Sequence, residues 1–540
     1  MTMQTKTLNK AVSLLSCLAW SLVGLTSAAS LDALASCGTF AQDPSHNESD
    51  YQIQRSKYYG RGSLNINNIT NNVAFCRVYG QVPYGDNNTV NFELWLPEAD
   101  SYRGSYLAVG NGGMAGTIDT SALLRGLSEG FAVAGGDSGH LASENNDGNG
   151  APGIYLPYLH DQDQVLAWIR NSVALFTAPA KELVQKYYSR AAEKSYYVGC
   201  STGGAQGFAL AQYHPEVFDG IIAGSPGNWY SHLALSFLWN AQATPYQEHL
   251  TQETLDTITS AVLETCDKLD GVQDNLIEDP LACNFDLSTL ACSSSESSPT
   301  NCLNDTQLAA AHAVYSGPHS SEYPSIYPGF SLSSEAEWAL QLGSLADAFS
   351  IPILQNLVYD NLTYDPSQFD WDVSVGDVDE RAGKFIDAIG SDLTAFRDRG
   401  GKLIVYQGWT DPFNAATWPI EHLQQIEDTM GGNVGEWMRL FMIPGEFIDK
   451  RKRLADCSPA MTGGGHCGAA TSTFYKDVPG DYRTTKAIVD WAEDDIAPEE
   501  IKSESLPTQQ GNWTRKLCAW PNTARFEGGD SRDWMSYTCA

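Results

Sequence analysis

The spacing of apolar residues changes several times along the chain, and the changes outline its elements. Residues 91–97, 105–110 and 131–134 are short runs of strand character. Residues 162–188 shift to a helical period, with Val165, Leu166, Ile169 and Val173 on one stripe, and Pro179 predicts a break in it. A strand at 195–199 and a helix at 205–218 follow. Strands alternating with helices predict an α/β fold, a mainly parallel sheet covered on both faces. From about 228 to 396 the pattern turns helical, as at 252–269 and 335–349, with a Ser-rich stretch at 293–298. Strand character returns at 402–406 and 438–443. The expectation is one sheet, built from 30–227 and 397–540, interrupted by the insertion 228–396.

The first 29 residues stand apart. Lys6 and Lys10 precede an apolar run over 11–25 and a small-residue stretch over 26–30, the order of a secretory signal peptide. The run is too short to span a bilayer comfortably, and no later stretch is long and apolar enough. A soluble, exported protein is expected. Of 12 cysteines, Cys17 lies in this leader, and an oxidising compartment would pair most of the other eleven. Sequons at Asn47, Asn68, Asn87, Asn304, Asn361 and Asn512 suit a glycosylated extracellular chain. The net charge of −33 argues against nucleic-acid and anionic-membrane partners, because phosphate binding needs a basic surface. Oligomeric state is not legible.

Candidate chemistry begins at Gly199-Cys200-Ser201-Thr202-Gly203, which fits the G-x-S-x-G turn between a strand and a helix. Ser201 is the candidate nucleophile. The Thr202 amide would begin the helix and face a developing oxyanion, and Gly112 or Gly113 of Gly110-Asn111-Gly112-Gly113 is the candidate second donor. In the α/β-hydrolase fold the order is Ser, acid, His. Asp411 follows the strand at 402–406, where the acid belongs. Two histidines lie beyond it. His422 falls in a helical stretch, 419–430, and reads as a surface residue; His466 lies in a glycine loop and is the candidate base. Cys200 precedes Ser201 and Cys467 follows His466, so an assembled triad would bring the two cysteines together to pair. A Cys200 nucleophile is the rival, which such a pairing removes.

The segment 195–204, the later Gly-Trp-Thr-Asp-Pro, the His-Cys pair, Asp137-Ser138-Gly139-His140 and Phe218-Asp219-Gly220-Ile221 resemble the fungal tannase and feruloyl esterase family, over nearly the whole mature chain. The resemblance implies an α/β-hydrolase domain, a lid domain in the insertion, and hydrolysis of phenolic carboxylate esters. It also implies a structural calcium site in the lid, with Asp267, Asp270 and Asp274 side chains and the carbonyls of Val272 and Leu276 as ligands. Hard oxygen donors of this kind suit Ca²⁺ better than zinc. Cys266 and Cys283 flank that loop and are expected to pair. Proximity and resemblance give Cys37–Cys76, Cys292–Cys302 and Cys518–Cys539, leaving Cys457 single.

Two departures stand out. Gln407 replaces a residue that is often His in the family, a change read as touching no triad role. In the family the His-Cys pair closely follows a Pro-Gly; here 446–464 intervene, carrying Lys450-Arg451-Lys452-Arg453 and Cys457. Deleting them restores the short connection and an even cysteine count, so the segment reads as a retained intron; the alternative is a genuine surface loop. The expected activity is secreted hydrolysis of feruloyl or cinnamoyl esters of plant cell-wall sugars through an acyl-enzyme. Three alternatives stay open: a tannase acting on galloyl esters, a non-catalytic polyphenol-binding homologue, and a secreted serine peptidase.

Overall fold

Nine strands form one sheet. They are β1 (Gln52–Tyr59), β2 (Phe75–Tyr84), β3 (Asn88–Pro97), β4 (Tyr106–Val109), β5 (Ala132–Gly136), β6 (Ser195–Cys200), β7 (Gly220–Gly224), β8 (Lys402–Gly408) and β9 (Met438–Ile443). Their order is β1-β2-β3-β5-β4-β6-β7-β8-β9. The strands from β5 to β9 in that order run parallel, and β1, β2 and β3 extend the sheet antiparallel. Strands β4, β5 and β7 are buried along their whole length, as parallel strands covered on both faces must be. The computed structural model describes residues 36–42, 50–146, 154–243, 250–292, 302–445, 465–467, 484–504 and 514–540. The leader (1–29), the segment 446–464 and Cys457 lie outside these residues. Among the described residues, no helix is long and apolar enough to cross a membrane.

Alternate side chains of the sheet feed two cores. One packs Leu107, Val109, Ile222 and Ile404 against α1 (Thr120–Ser128) and a late helix, Thr484–Asp494. The other packs Ala108, Tyr197, Ile221 and Val405 against α2 (Ser172–Tyr188) and α3 (Thr202–Tyr213). The predicted helix over 162–188 is found as Gln162–Leu166, a π turn at Ala167–Asn171, and α2. Contrary to expectation, α2 continues through Pro179. An interior proline costs a helix about 3 kcal/mol. Burial of Val173, Phe176, Leu183 and Val184 against the sheet outweighs that, at roughly 1.5–3 kcal/mol for each large apolar side chain. Helix α3 starts at Thr202 and stops at Tyr213, shifted towards the nucleophile from the predicted 205–218.

Between β7 and β8, the described residues add no strand to the sheet. This insertion carries α4 (Tyr230–Ala243), α5 (Gln252–Cys266) and α6 (Asp305–Ser316) and a core of its own, in which Ile258, Val262, Val314 and Trp338 are buried. The helix expected at 335–349 is instead a 3-10 segment, Glu335–Gln341, and a π turn, Ala346–Ser350. Beyond β8 comes α7 (Trp418–Met430), and the chain ends in two hairpins, β10 (Glu500–Glu504) with β11 (Thr514–Cys518) and β12 (Ala524–Phe526) with β13 (Tyr537–Cys539). All five expected disulfides are formed: Cys37–Cys76, Cys200–Cys467, Cys266–Cys283, Cys292–Cys302 and Cys518–Cys539. A mostly parallel sheet, with a sharp strand-to-helix turn after β6, is the architecture of an α/β hydrolase.

Candidate active site

Ser201 sits between β6 and α3 with φ 60° and ψ −120°, a backbone region that a non-glycine residue rarely enters. Main-chain bonds hold it there: its amide donates to Gly224 O at 2.9 Å, and its carbonyl accepts from Ala205 and Gly227. The flanking glycines are required by close approach. A Cβ on Gly199 would lie 2.5 Å from the Gly203 carbonyl oxygen, and one on Gly203 would lie 2.9 Å from the Asn111 oxygen. The turn thus aims the Thr202 amide, the first orphan donor of α3, at the end of the sheet where Ser201 stands.

Asp411 is fully buried and follows β8. Its Oδ1 accepts amides from Phe413 (2.8 Å) and Asn414 (3.1 Å), and His466 Nδ1 lies 3.0 and 2.9 Å from its two oxygens. Burial alone would raise the pKa of this carboxyl. The charge and hydrogen bond of His466, with the two amides, outweigh burial and hold it below its ordinary value. An ionised carboxylate facing Nδ1 puts the imidazole proton on that nitrogen and leaves Nε2 free to accept one. The Cys200–Cys467 disulfide, with its Cα atoms 5.6 Å apart, ties the residue before Ser201 to the residue after His466. Both sulfurs and a ring nitrogen of His466 lie within 4.8 Å of one another. The sulfurs are bonded to each other, which removes the Cys200 thiolate as a rival nucleophile.

Two expectations need correction. Gln407 is not remote from the triad: its Nε2 donates to Asp411 Oδ2 at 2.9 Å. As the penultimate residue of β8 it lies beneath the acid loop that follows the strand. His422 is not on the surface. It is buried under α7, stacked on Trp418 and facing Phe208 of α3, with Nδ1 3.0 Å from Asn228 Nδ2. Burial lowers its pKa to about 4, so it stays neutral at ordinary pH.

The glycine loop after β4 is heavily bonded. Asn111 Nδ2 donates to Thr117 O and Gly136 O, and Asn111 Oδ1 accepts from Ser138. Gln206 of α3 accepts the Asn111 amide and donates to Ser138 and to Trp168 O. His140 bonds the Met114 carbonyl at 2.8 Å. Gly112 O accepts from Ala115 N, and Gly113 O accepts from the Thr202 hydroxyl. Ser225, fully buried, accepts the Cys467 amide on Oγ and the Asn414 side chain on its carbonyl. Sequence reasoning gave no role to Ser138, His140, Gln206 or Ser225. The Asp-Ser-Gly-His motif was the one visible signal, and only as part of a resemblance. The ring centre of Phe413 lies 4.4 Å from that of His466, and a Cβ on Gly113 would first meet Phe349, at 3.9 Å.

The acidic loop after α5 forms a cluster of its own. Asp267 Oδ1 accepts the amides of Asp274 and Asn275, and Asp270 Oδ1 that of Val272. Arg515 of β11 donates to Oδ2 of Asp270 and Asp274, each at 2.7 Å, and to Glu278 at 3.0 Å. Asp267, Asp270, Asp274 and Glu278 are all buried, as is Arg515. Three of these four carboxylates meet the one guanidinium, and burial raises the pKa of Asp267, Asp270 and Glu278. The surplus negative charge and the all-oxygen donor set fit a divalent hard cation. Among the described residues, the Cys200–His466–Cys467 group, not these carboxylates, has its candidate ligand atoms all within 4.8 Å; two of the three Asp side chains turn to Arg515.

The family described as "Tannase and feruloyl esterase" matches residues 76–540. A probable feruloyl esterase B of Emericella nidulans is 30% identical over 481 residues, 86% of each chain. A probable feruloyl esterase B-1 of Aspergillus oryzae is 28% identical over 481 residues, 87% of this chain and 85% of the relative. Among solved structures, feruloyl esterase B from Aspergillus oryzae superposes with a TM-score of 0.81 at 25% identity, over 94% of this chain and all of the other. Tannin acyl hydrolase from Aspergillus niger shares the fold, with a TM-score of 0.74 at 20% identity, over 94% of this chain and 95% of its own.

Proposed function

Because the chain belongs to the tannase and feruloyl esterase family and is a carboxylic ester hydrolase, we propose that it cleaves feruloyl or cinnamoyl esters of plant cell-wall sugars through an acyl-enzyme on Ser201. The observation that carries the site assignment is the pairing of His466 with Asp411, together with the disulfide that joins Cys467 to Cys200. In this reading the Ser201 Oγ–carbonyl bond forms as the Oγ proton passes to His466 Nε2, and Asp411 stabilises the imidazolium. The Thr202 amide and that of Gly113 or Gly112 take the oxyanion. The tetrahedral species collapses by breaking the ester C–O bond, and His466 gives its proton to the leaving alcohol. Water, deprotonated by His466, then attacks the acyl-enzyme, and the aromatic acid leaves as the proton returns to Ser201.

The choice of a feruloyl over a galloyl ester rests on the names of the relatives and on the apolar rings of Phe349 and Phe413, which suit the flat, less hydroxylated cinnamoyl group. The insertion between β7 and β8 serves as the lid. Asp267, Asp270, Asp274 and the carbonyls of Val272 and Leu276 would hold a calcium ion there, whose contribution is to neutralise buried charge and brace the lid, with no part in the chemistry. Export and glycosylation accompany this function. The sequon residues Asn68, Asn87, Asn304 and Asn361 are all exposed. Rates on methyl ferulate, methyl caffeate and methyl gallate, measured side by side, test the reading. Ferulate or caffeate should exceed gallate by tenfold or more, on the order of 1–2 kcal/mol of transition-state preference. Ser201→Ala should abolish all three; unchanged turnover in that variant would sink the mechanism.

A further inference from the structure

The hydroxyl of Thr202 has no part in the acyl transfer described above, yet it is buried and committed. Its Oγ1 donates to the carbonyl oxygen of Gly113 at 2.7 Å. The Tyr230 hydroxyl at the start of α4 is a second, longer donor to the same oxygen at 3.4 Å, and it stands 3.5 Å from Thr202 Oγ1. Gly113 has φ +56°, and a Cβ built there would have nothing closer than Phe349 at 3.9 Å. A glycine in open space can rotate its peptide planes at little cost, so the orientation of this loop must come from hydrogen bonds.

Those bonds can be followed plane by plane. The peptide between Gly112 and Gly113 is fixed by its carbonyl, which accepts from Ala115 N at 3.1 Å. The peptide between Gly113 and Met114 is fixed by the Thr202 hydroxyl. The next carbonyl, that of Met114, is fixed by His140. Of these three restraints, only the middle one comes from the nucleophile's own helix. Thr202 therefore reaches both sides of the oxyanion site: its amide is the first donor of α3, and its side chain grips the loop that offers the other donor.

We propose that the Thr202 hydroxyl is a positioning residue that locks the Gly113 peptide and so sets the two halves of the oxyanion hole at a fixed separation. The inference rests on the acyl-transfer reading. Without the hydroxyl, the carbonyl of Gly113 keeps only the longer bond from Tyr230, the ψ of Gly113 loosens, and the Cα that carries the adjacent Gly113 N–H is held less firmly. The loss falls on the transition state, where charge develops, and not on ground-state binding.

The test uses the full chain with Thr202→Val, which keeps the shape without the hydroxyl, and Thr202→Ser, which keeps the hydroxyl. On methyl ferulate, the Val variant should lose about 10- to 100-fold in kcat with KM within about twofold, a smaller loss than that of an oxyanion donor itself. Its affinity for an aryl boronic acid, which mimics the tetrahedral species, should fall by a similar factor, while inhibition by ferulic acid holds. The Ser variant should recover most of the rate. If Val does not fold, Thr202→Ala takes its place in the comparison. Equal kcat in the hydroxyl-free variant and the parent, equal losses in the Val and Ser variants, or a change in KM alone would overturn the inference. Ser201→Ala separates the two levels. A dead Ser201→Ala beside a fully active Thr202→Val removes only the lock, whereas an active Ser201→Ala removes the acyl-transfer reading beneath it.

Discussion

Asp411 shows how a buried charge is kept ionised by its neighbours. The Gln407 amide is one of its four partners, and unlike an imidazole it does not titrate. Replacing Gln407 by Leu leaves Asp411 Oδ2 with His466 alone. A buried carboxylate that loses a donor is harder to keep charged, so its pKa rises from its depressed position. The ionised form is present above that pKa and is lost as pH falls through it. Gln407→Leu should therefore lower kcat about tenfold, in the range typical of hydrogen bonds to charged groups, and move the acid limb of the kcat–pH profile upward; a profile that keeps its acid limb would refute this. Asp387 behaves in the opposite way. It is buried, accepts from the amide and hydroxyl of Ser231, and has its pKa pushed to about 6 by burial, with His232 and Asp379 nearby. A raised carboxyl pKa means that the folded state holds the proton more tightly, so stability is gained below about pH 4 and lost as pH rises through about 6. Asp387→Asn should match the parent near pH 4 and exceed it at pH 7 by about 2–3 kcal/mol, from the size of the shift. Denaturant melts at both pH values measure this directly.

At the scale of elements, the proposed site is a strand-to-helix turn and a histidine loop, 267 residues apart, joined by one disulfide. Under the chain-entropy account, closing so long a loop stabilises by about 5 kcal/mol, but the larger effect should be on rate. A displacement of about 1 Å between nucleophile and base can cost on the order of 100-fold. The Cys200→Ala/Cys467→Ala pair should lose at least tenfold in kcat while its near-ultraviolet circular dichroism stays native; full activity would show that Asp411 and Ser225 suffice to seat His466. Much of this was legible beforehand, because G-x-S-x-G, the acid after β8 and the two flanking cysteines sit close to the residues they serve. What was not legible came from contacts with no local signal. Ser225 meets Cys467 across 242 residues, and Gln206 meets Asn111 across 95, through single polar atoms that leave no period in the sequence. His422 was misplaced for a related reason. The stretch 419–430 read as a helix with this histidine on the surface, but the helix turns it inward onto Trp418 and α3. Pro179 misled in the other direction, since a local rule yielded to burial against the sheet.

At the scale of the whole molecule, the insertion is stapled to the C-terminal hairpins through one buried arginine. Arg515 of β11 reaches Asp270, Asp274 and Glu278, and its guanidinium lies 4.1 Å from the centre of the Tyr537 ring of β13. The main chain joins in, with Phe526 N donating to Asp270 O and Ala524 N to Glu278. The loop proposed to hold calcium is therefore also the loop through which the insertion docks on the last strands. Arginine and a cation draw on the same carboxylates, so each should change the binding of the other. With four acids and one guanidinium the ion still has charge to neutralise, and a bound ligand stabilises the fold by RT ln(1 + [L]/Kd). Protein stripped with EGTA should melt lower by several degrees and recover with added Ca²⁺ along a saturable curve, and far less with Mg²⁺, which demands a tighter octahedral shell. Asp270→Asn should erase that recovery. Arg515→Met should sharpen it: the metal-free protein should melt well below the parent, because burying the acids without their counter-charge costs about 3–5 kcal/mol, and Ca²⁺ should then restore more than it does in the parent. Calorimetric titration of Ca²⁺ into both proteins gives the affinity without reference to catalysis. A Ca²⁺-induced shift of the same size with and without Arg515 would show that the staple and the metal loop are independent, and no shift in either would leave Arg515 as the only cation that this loop holds.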